Sequence, residues 1–400
     1  MIERKLYLDK LISWKDKDII KVITGIRRCG KSTLLNSFAE YLIKSEVDKQ
    51  NIIQINLEDI KYDNMDYKTL YNLIEKKVLN NNDKTYIFLD EIQRINSWEK
   101  VINSLYLNKN IDIYITGSNA YLLSSELSTY LSGRYIEIKM LPFSFKEFIE
   151  YNNFPNNTTI SDKFDLYLKY GGMPCIFDFN FNQEQINMVL DSVYSTVVMK
   201  DILQQSNLRD INSLKKIVLF LADNIGNICS SNKISNILSS ENKEKLTSKT
   251  VDNYINLLQN AFIFYNVGRY DIKGKEYLKS LEKYYIVDIG IRNYLLGYRN
   301  IDRGHIIENV VFLELIRRGY KVSIGKIGDK EVDFIATNQN EKIYFQISET
   351  IANTETKNRE LASLKLINDN YEKYLITSDK NFILDEDGIK FKNIIDWLLE

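Results

Sequence analysis

The chain has 400 residues, 44% of them hydrophobic and 27% charged, and 53 Lys and Arg against 54 Asp and Glu leave a net charge of −1. That is ordinary globular material, long enough for two or three domains at roughly 100–200 residues each, and it has no whole-molecule basic field, so any nucleic-acid contact has to be local. Three scattered cysteines (Cys29, Cys175, Cys229) and a single histidine, His305, fit neither a disulfide framework nor a zinc site and remove most histidine-based metal and triad chemistry.

Up to about residue 141 short apolar strands alternate with amphipathic helices, which implies a parallel sheet covered by helices. The strand candidates are Ile19–Thr24, Ile52–Leu57, Tyr86–Asp90, Ile111–Thr116 and Tyr135–Met140. The first runs directly into Gly25-Ile26-Arg27-Arg28-Cys29-Gly30-Lys31-Ser32, a complete Walker A pattern, and a helical run from Thr33 to Leu42 follows. In such a loop the backbone N–H groups wrap phosphates, and the helix presents its positive end to them. Gly25 and Gly30 allow backbone geometry that a Cβ blocks. Lys31 is placed to reach the β- and γ-phosphates, and Ser32 to hold Mg²⁺. Cys29 is a spacer, while Arg27 and Arg28 are open to two roles, phosphate contact or contact with a partner subunit. The loop implies ATP or GTP.

Tyr86-Ile87-Phe88-Leu89-Asp90-Glu91 is an apolar strand ending in two acids, the Walker B form, with Asp90 for Mg²⁺ and Glu91 for the attacking water. The strand ending Ile115-Thr116-Gly117-Ser118-Asn119 offers Ser118 and Asn119 either as reporters of the γ-phosphate or as a plain turn. Arg134, in Leu131-Ser132-Gly133-Arg134, is either a finger acting at a neighbouring subunit's site or a surface arginine.

Beyond a polar, turn-rich stretch at Asn152–Thr159, residues 161 to about 205 read as helical around Gly171-Gly172-Met173-Pro174. Leu214, Ile217, Val218 and Leu221 mark one apolar helix face, Ile234, Ile237 and Leu238 a second, and Val251, Tyr254, Ile255 and Leu258 a third, which Thr247-Ser248 caps. Strands Phe262–Val267 and Lys283–Val287 flank a hairpin carrying Lys273, Lys275 and Lys279, so three helices and a hairpin predict a winged helix. Lys249, Asn253 and Asn256 lie on the outward face of the third helix, where they can reach base edges or phosphates. Between Cys229 and Tyr285 there are nine Lys or Arg and six Asp or Glu. That is a weak electrostatic footprint, and it leaves a protein-contact role open beside binding of double-stranded DNA.

The last hundred residues pattern as a helix (His305–Arg318), three strands (Tyr320–Ile324, Glu331–Ala336, Ile343–Ser348), a helix (Arg359–Ile367) and a strand (Lys373–Thr377). Glu308, Asp333 and Gln346-Ile347-Ser348 are similar to the restriction-endonuclease-like PD-(D/E)xK arrangement, whose acids hold Mg²⁺ and whose lysine orients water. Gln346 stands where the second acid belongs and Ser348 where the lysine belongs, with Lys326, Lys330 or Lys342 as possible substitutes. The expectation is a nuclease-like fold, degenerate in its chemistry, with Glu308 and Asp333 as remnant metal ligands or as supports of the fold. His305 reads as a helix cap or solvent contact.

The phosphate loop, Asp90-Glu91, Thr116-Gly117-Ser118, Leu131-Ser132-Gly133-Arg134, Leu141-Pro142-Phe143-Ser144-Phe145-Lys146-Glu147-Phe148, Gly171-Gly172-Met173-Pro174 and Lys200-Asp201-Ile202 together resemble those of prokaryotic AAA+ ATPases of the archaeal-ATPase-like kind. The resemblance implies ATP over GTP, a sheet in the order 5-1-4-3-2, and assembly of a homo-oligomer through nucleotide sites at subunit borders. It also implies a C-terminal domain of poorly defined function. The expected division is an AAA+ core at 1–151, a helical lid or connector at 152–209, a winged helix at 210–300 and the nuclease-like domain at 301–400. No apolar run approaches the roughly 18 residues of a membrane span, and the start Met1-Ile2-Glu3-Arg4-Lys5 lacks a signal-peptide core. The whole reads as a cytoplasmic, ATP-hydrolysing, DNA-associated switch. A nucleotide-dependent scaffold without DNA and an ATP-dependent nuclease are the alternatives.

Overall fold

The computed structural model describes the chain except for residues 1–2, 79–82, 121–130, 132, 203–209, 242–245 and 381–382, and the side chains of 199–201, 241 and 278–280. Ser132 and the side chains of Lys200, Asp201 and Lys279 therefore lie outside the described residues. The chain divides into two compact units, residues 1–140 with 260–262, and residues 141–259 with 263–400.

In the first unit β1 (Ile20–Thr24), β2 (Ile52–Asn56), β3 (Thr85–Asp90), β4 (Ile111–Gly117) and β5 (Tyr135–Lys139) each fall within a residue of the sequence expectation. All pairings are parallel in the order β2-β3-β4-β1-β5, which is the expected 5-1-4-3-2 read from the other edge. β1 and β3 are buried at every position. Helices cover both faces of such a sheet, so its inner strands are continuous apolar runs without polar alternation.

On one face Val22, Leu89 and Ile113 pack with Leu70 and Ile74 from the helix Tyr67–Glu75 and Val101 and Ile102 from the helix Trp98–Tyr106. On the other, Phe38 from the helix Lys31–Lys44 meets Tyr114 and Phe88 at ring-centroid distances of 5.0 and 5.9 Å. The starting end of the sheet is closed by a buried ion pair, Lys21 Nζ to Asp112 Oδ1 at 2.5 Å, with the Tyr114 hydroxyl donating to Asp112 Oδ2. Burial lowers the Lys21 pKa, and Asp112 opposes that shift. The other end, where β1, β3 and β4 finish, carries the motifs.

In the second unit the helices Phe145–Tyr151 and Ile160–Tyr170 each begin with a full capping box, Ser144 with Glu147 and Thr159 with Asp162. Phe145 and Phe148 pack on Phe164, Tyr167 and Phe177. This aromatic packing sets residues 141–151 in the second unit, ahead of the boundary expected at 151. The apolar faces expected of the helices Ile211–Asp223, Ser231–Glu241 and Ser248–Asn260 point inward: Leu214, Ile217, Val218, Leu221, Ile234, Val251 and Leu258 are fully buried.

Among the described residues the remaining strands are β6 (Ile228–Cys229), β7 (Phe264–Asp271), β8 (Glu276–Ile286), β9 (Lys321–Ile327), β10 (Lys330–Thr337), β11 (Lys342–Ser348), β12 (Glu372–Thr377), β13 (Asp385–Glu386) and β14 (Ile389–Asn393). They form one sheet, β13-β14-β12-β11-β10-β9-β7-β8-β6. The hairpin strands β7 and β8 run several residues further than the sequence suggests. β9 pairs in parallel with the far half of β7, Arg269 opposite Ile324, and supplies the extra ladder. The sheet consequently crosses the boundary expected at residue 300.

A candidate nucleotide site

β1 turns into the loop at Gly25, whose φ is +149°, and an added Cβ there would stand 2.2 Å from the Met140 carbonyl oxygen. Gly30, at φ +103°, ends the loop as the N-cap of the helix Lys31–Lys44. Arg28 takes φ +63° between them. The loop is thus wound around backbone that only glycine fits, and the first turn of the following helix opens onto it. Ile26 and Cys29 are buried, and burial pushes the Cys29 thiol up. Arg27 pairs with Glu58 at 3.4 Å while Arg28 is exposed. Ser32 is exposed and Thr33 half-buried.

Lys31 Nζ donates to the carbonyls of Gly25 (2.9 Å) and Ile26 (3.2 Å) and lies 3.7 Å from Glu91 Oε1. The Walker B acids are therefore in reach of the loop lysine. Burial pushes the Asp90 carboxyl up and the charge of Glu91 adds to this, against the hydroxyls of Ser32 and Thr116, which pull it down. A buried carboxylate flanked by a hydroxyl suits a hard divalent cation such as Mg²⁺, whose charge offsets that desolvation.

Two residues to which the sequence assigned no role shape this site. The Thr116 hydroxyl donates to Asp90 Oδ1 and accepts from the Glu91 N–H at 2.9 Å, so the tip of β4 fixes both acids. Gln93 Nε2 donates to Glu91 Oε2 at 2.5 Å, and Ser118 Oγ donates to the same oxygen at 3.0 Å. Glu91 sits in the left-handed region (φ +54°, ψ +49°), which costs a non-glycine residue about 1–3 kcal/mol and is characteristic of functional sites. Thr116 was legible in principle, because Leu89 pairs with Ile115 and the next position of β4 must flank Asp90. Gln93 follows a left-handed turn and leaves no signal in the sequence.

Of the remaining first-unit candidates, Ser118 and Asn119 are buried just past the end of β4, and Ser118 bonds Glu91. Arg134 is not brought to the loop. It is exposed, donates to Asn103 Oδ1 at 3.3 Å, and its carbonyl accepts from Ile20 N at the starting end of β1. It lies at the opposite end of the sheet from the loop that follows Thr24.

Glu308 and Asp333, from the second unit, share a different cluster. Glu308 Oε1 accepts from Lys283 Nζ (3.0 Å) and the Tyr285 hydroxyl (2.6 Å), and Lys283 Nζ also pairs with Glu331 Oε1 at 2.7 Å. Burial works against ionised Glu308, but Lys283, His305 and Tyr285 outweigh it and hold the carboxyl down at about 2. Burial and the charge of Glu308 push Asp333 well above the ordinary range, and its Oδ2 accepts from Ile347 N at 2.8 Å. Gln346 is tied to Glu360 (2.8 Å) and Ser363 (3.2 Å), and Ser348 donates to the Thr350 carbonyl.

The expected metal ligands Glu308 and Asp333 thus sit in one buried cluster with a lysine. The Lys283 ammonium already bonds Glu308 and Glu331, while Asp333 accepts from a backbone N–H, and among the described residues no group of three His, Cys, Asp or Glu side chains converges to hold an ion. The lysine bonded to Glu308 is Lys283 of β8, while Lys342, one of the expected substitutes, packs over the Tyr344 ring. His305 lies 3.8 Å from Glu308 Oε2 and is 46% exposed along its side chain, a rim contact.

Residues 17–149 match the family model of the AAA domain, and residues 161–302 that of a domain of unknown function (DUF8612). An uncharacterised protein of Haemophilus influenzae is 42% identical over 403 residues, covering 100% of this chain and 99% of its own length. One from Methanocaldococcus jannaschii is 31% identical over 91% of this chain and 83% of its own length. Among solved structures, the Walker-type ATPase of Pyrococcus abyssi superposes with a TM-score of 0.53 at 15% identity, covering 74% of this chain and 96% of that one, a likeness of fold. The chain belongs to the family of these Haemophilus and Methanocaldococcus proteins, and it carries an AAA domain of P-loop fold.

Proposed function

We propose that the chain binds ATP with Mg²⁺ in the Gly25–Thr33 loop, hydrolyses it, and works as a homo-oligomeric, DNA-associated switch. The observation that carries this reading is the meeting of Lys31 with Glu91 at 3.7 Å, at the mouth of a loop that only glycine can wind. In this reading Ser32 and Asp90 hold the metal, which supplies charge neutralisation on the phosphates. Lys31 leaves the Gly25 and Ile26 carbonyls for the β- and γ-phosphates. Glu91 orients and deprotonates the attacking water through Oε1, the oxygen facing Lys31, while Gln93 and Ser118 hold Oε2. Asn119 completes the β4 tip near the γ-phosphate, and Arg134, remote from its own loop, acts on the nucleotide of a neighbouring subunit. Adenine is taken from the likeness to AAA+ proteins.

The helices Ile211–Asp223, Ser231–Glu241 and Ser248–Asn260 with the β7–β8 hairpin serve as a winged helix on double-stranded DNA. Lys249, Asn253, Asn256, Lys273 and Lys275 are all exposed, which supports that use. Residues 301–400 take the nuclease-like fold. A cytoplasmic location belongs to the same reading; among the described residues no helix is long and apolar enough to cross a membrane.

Glu91→Gln should retain ATP and lose turnover, and Lys31→Ala should lose both; normal hydrolysis by either variant overturns the site. The basic surplus of only three between Cys229 and Tyr285 favours a second reading, a nucleotide-driven scaffold without DNA. A gel shift at low salt separates the two. Neutralising Lys273 and Lys275 should weaken DNA binding and lower its salt slope by about one for each phosphate that is no longer neutralised.

A further inference from the structure

The nuclease-like centre is filled from within its own unit. Lys283 and Tyr285 project from one face of β8 onto Glu308 of the helix Arg303–Arg317, and Lys283 reaches on to Glu331 beside Asp333 on β10. The Gly226 backbone lies against the same carboxylate; a Cβ there would stand 3.0 Å from Glu308 Oε2. The Lys283 and Glu308 side chains are 5% and 11% exposed, and Tyr285 is fully buried. A divalent cation needs several free carboxylate or carbonyl oxygens at once. Here one oxygen of Glu308 takes an ammonium and a phenol, one of Asp333 takes a backbone N–H, and the amide of Gln346 is spent on Glu360 and Ser363.

We propose that Lys283 is a resident cation seated among Glu308, Glu331 and Asp333, and that it closes this centre to divalent metal. The centre is then a metal-free lock that ties β8 to the helix Arg303–Arg317 and to β10, and it does not cut nucleic acid. This inference stands apart from the ATPase reading, since it uses no residue of the first unit.

The test counts Mn²⁺ bound to nucleotide-free full-length protein by electron paramagnetic resonance, with Asp333→Asn as the partner variant so that sites elsewhere cancel. Wild type and Asp333→Asn should bind the same number of Mn²⁺, and both should leave supercoiled plasmid intact in Mn²⁺ and ATP. Lys283→Met should bind one Mn²⁺ more than wild type and lose it again when combined with Asp333→Asn. A wild-type Mn²⁺ that Asp333→Asn loses, or wild-type nicking that Asp333→Asn abolishes, overturns the proposal. A folded Lys283→Met protein with the wild-type count overturns it too. Should Lys283→Met not fold, the comparison of wild type with Asp333→Asn decides alone.

Discussion

Each unit of the chain sets one lysine beside a pair of acids near the end of a strand, and the two arrangements differ in where the lysine spends its hydrogen bonds. Lys31 donates to two backbone carbonyls and stays 3.7 Å from Glu91, so its charge is held but uncommitted. Lys283 bonds two carboxylates directly, at 3.0 and 2.7 Å. A lysine parked on neutral carbonyls can be taken over by a phosphate, because the phosphate offers a charge-assisted bond in exchange. A lysine already neutralised inside the protein has nothing to gain from an incoming anion and blocks an incoming cation. On the two proposals, the same residue types make an exchangeable site in one unit and a permanent lock in the other.

That contrast is broken most directly from the side of the first unit. Glu91→Gln keeps the shape and the bonds from Gln93 and Ser118 but removes the base, so kcat should fall by roughly 10²–10⁴-fold with nucleotide affinity kept. Phosphate release and binding of a fluorescent ATP analogue check the two halves, and a small loss of kcat would remove Glu91 from the chemistry. In the second unit the same kind of change should act on stability instead. Lys283→Met leaves Glu308 buried beside Asp333 without its counter-charge, a loss of about 3–5 kcal/mol for a broken buried pair. Urea unfolding measures it, and a loss below about 1 kcal/mol would show that the pair is solvated and not a lock.

How legible this contrast is depends on how local each site is. The phosphate loop is one run of eight residues between a strand and a helix, and β1, β3 and β4 announce themselves as apolar runs because helices cover both their faces. In the sequence Lys283 looks like one more base of a DNA-facing hairpin, yet the pleat holds the contrary signal. Tyr285 faces inward, and in a strand the residue two positions away shares its face. The partners Glu308 and Glu331 lie 25 and 48 residues further on, with no periodicity to link them. The pairing of β7 with β9, which joins two expected domains into one sheet, is equally non-local. The two-residue strand β13 and the six-residue helix Ile394–Leu399 also leave no clear pattern, because each is too brief to show a period.

A finer probe of the first unit is Gln93. If it only filled space, Gln93→Ala would change little beyond a small shift in unfolding temperature. As the donor that fixes Glu91 Oε2, its removal should lower kcat by roughly 10–100-fold, the worth of a hydrogen bond to a charged group, with KM unchanged. A raised KM with kcat unchanged would assign Gln93 to nucleotide binding instead. Ser118→Ala should act in the same direction and more weakly, because its bond to that oxygen is longer, 3.0 against 2.5 Å.

The smallest effect expected comes from pH, and it marks the second unit. Asp288 accepts from Gly172 N at 2.6 Å and Ile291 N at 3.1 Å, which joins the Gly171-Gly172 turn to the start of the helix Ile289–Leu296. Burial pushes its carboxyl up to about 6, although four backbone N–H groups pull against that. A raised carboxyl favours the protonated folded state, so its contribution is full below the ordinary aspartate range, near 4, and is lost as pH rises through about 6. Lowering the pH from 7 to 5 should therefore stabilise this unit, with Asp288 contributing about 1 kcal/mol of the effect, or roughly 2–4 °C in unfolding temperature. Asp333 is raised as well and acts with the same sign. Glu308, held at about 2, opposes only in stronger acid. Scanning calorimetry of wild type and Asp288→Asn at pH 7, 6 and 5 gives the answer, and equal pH dependence of the two midpoints would mean that water reaches Asp288 and keeps it ionised.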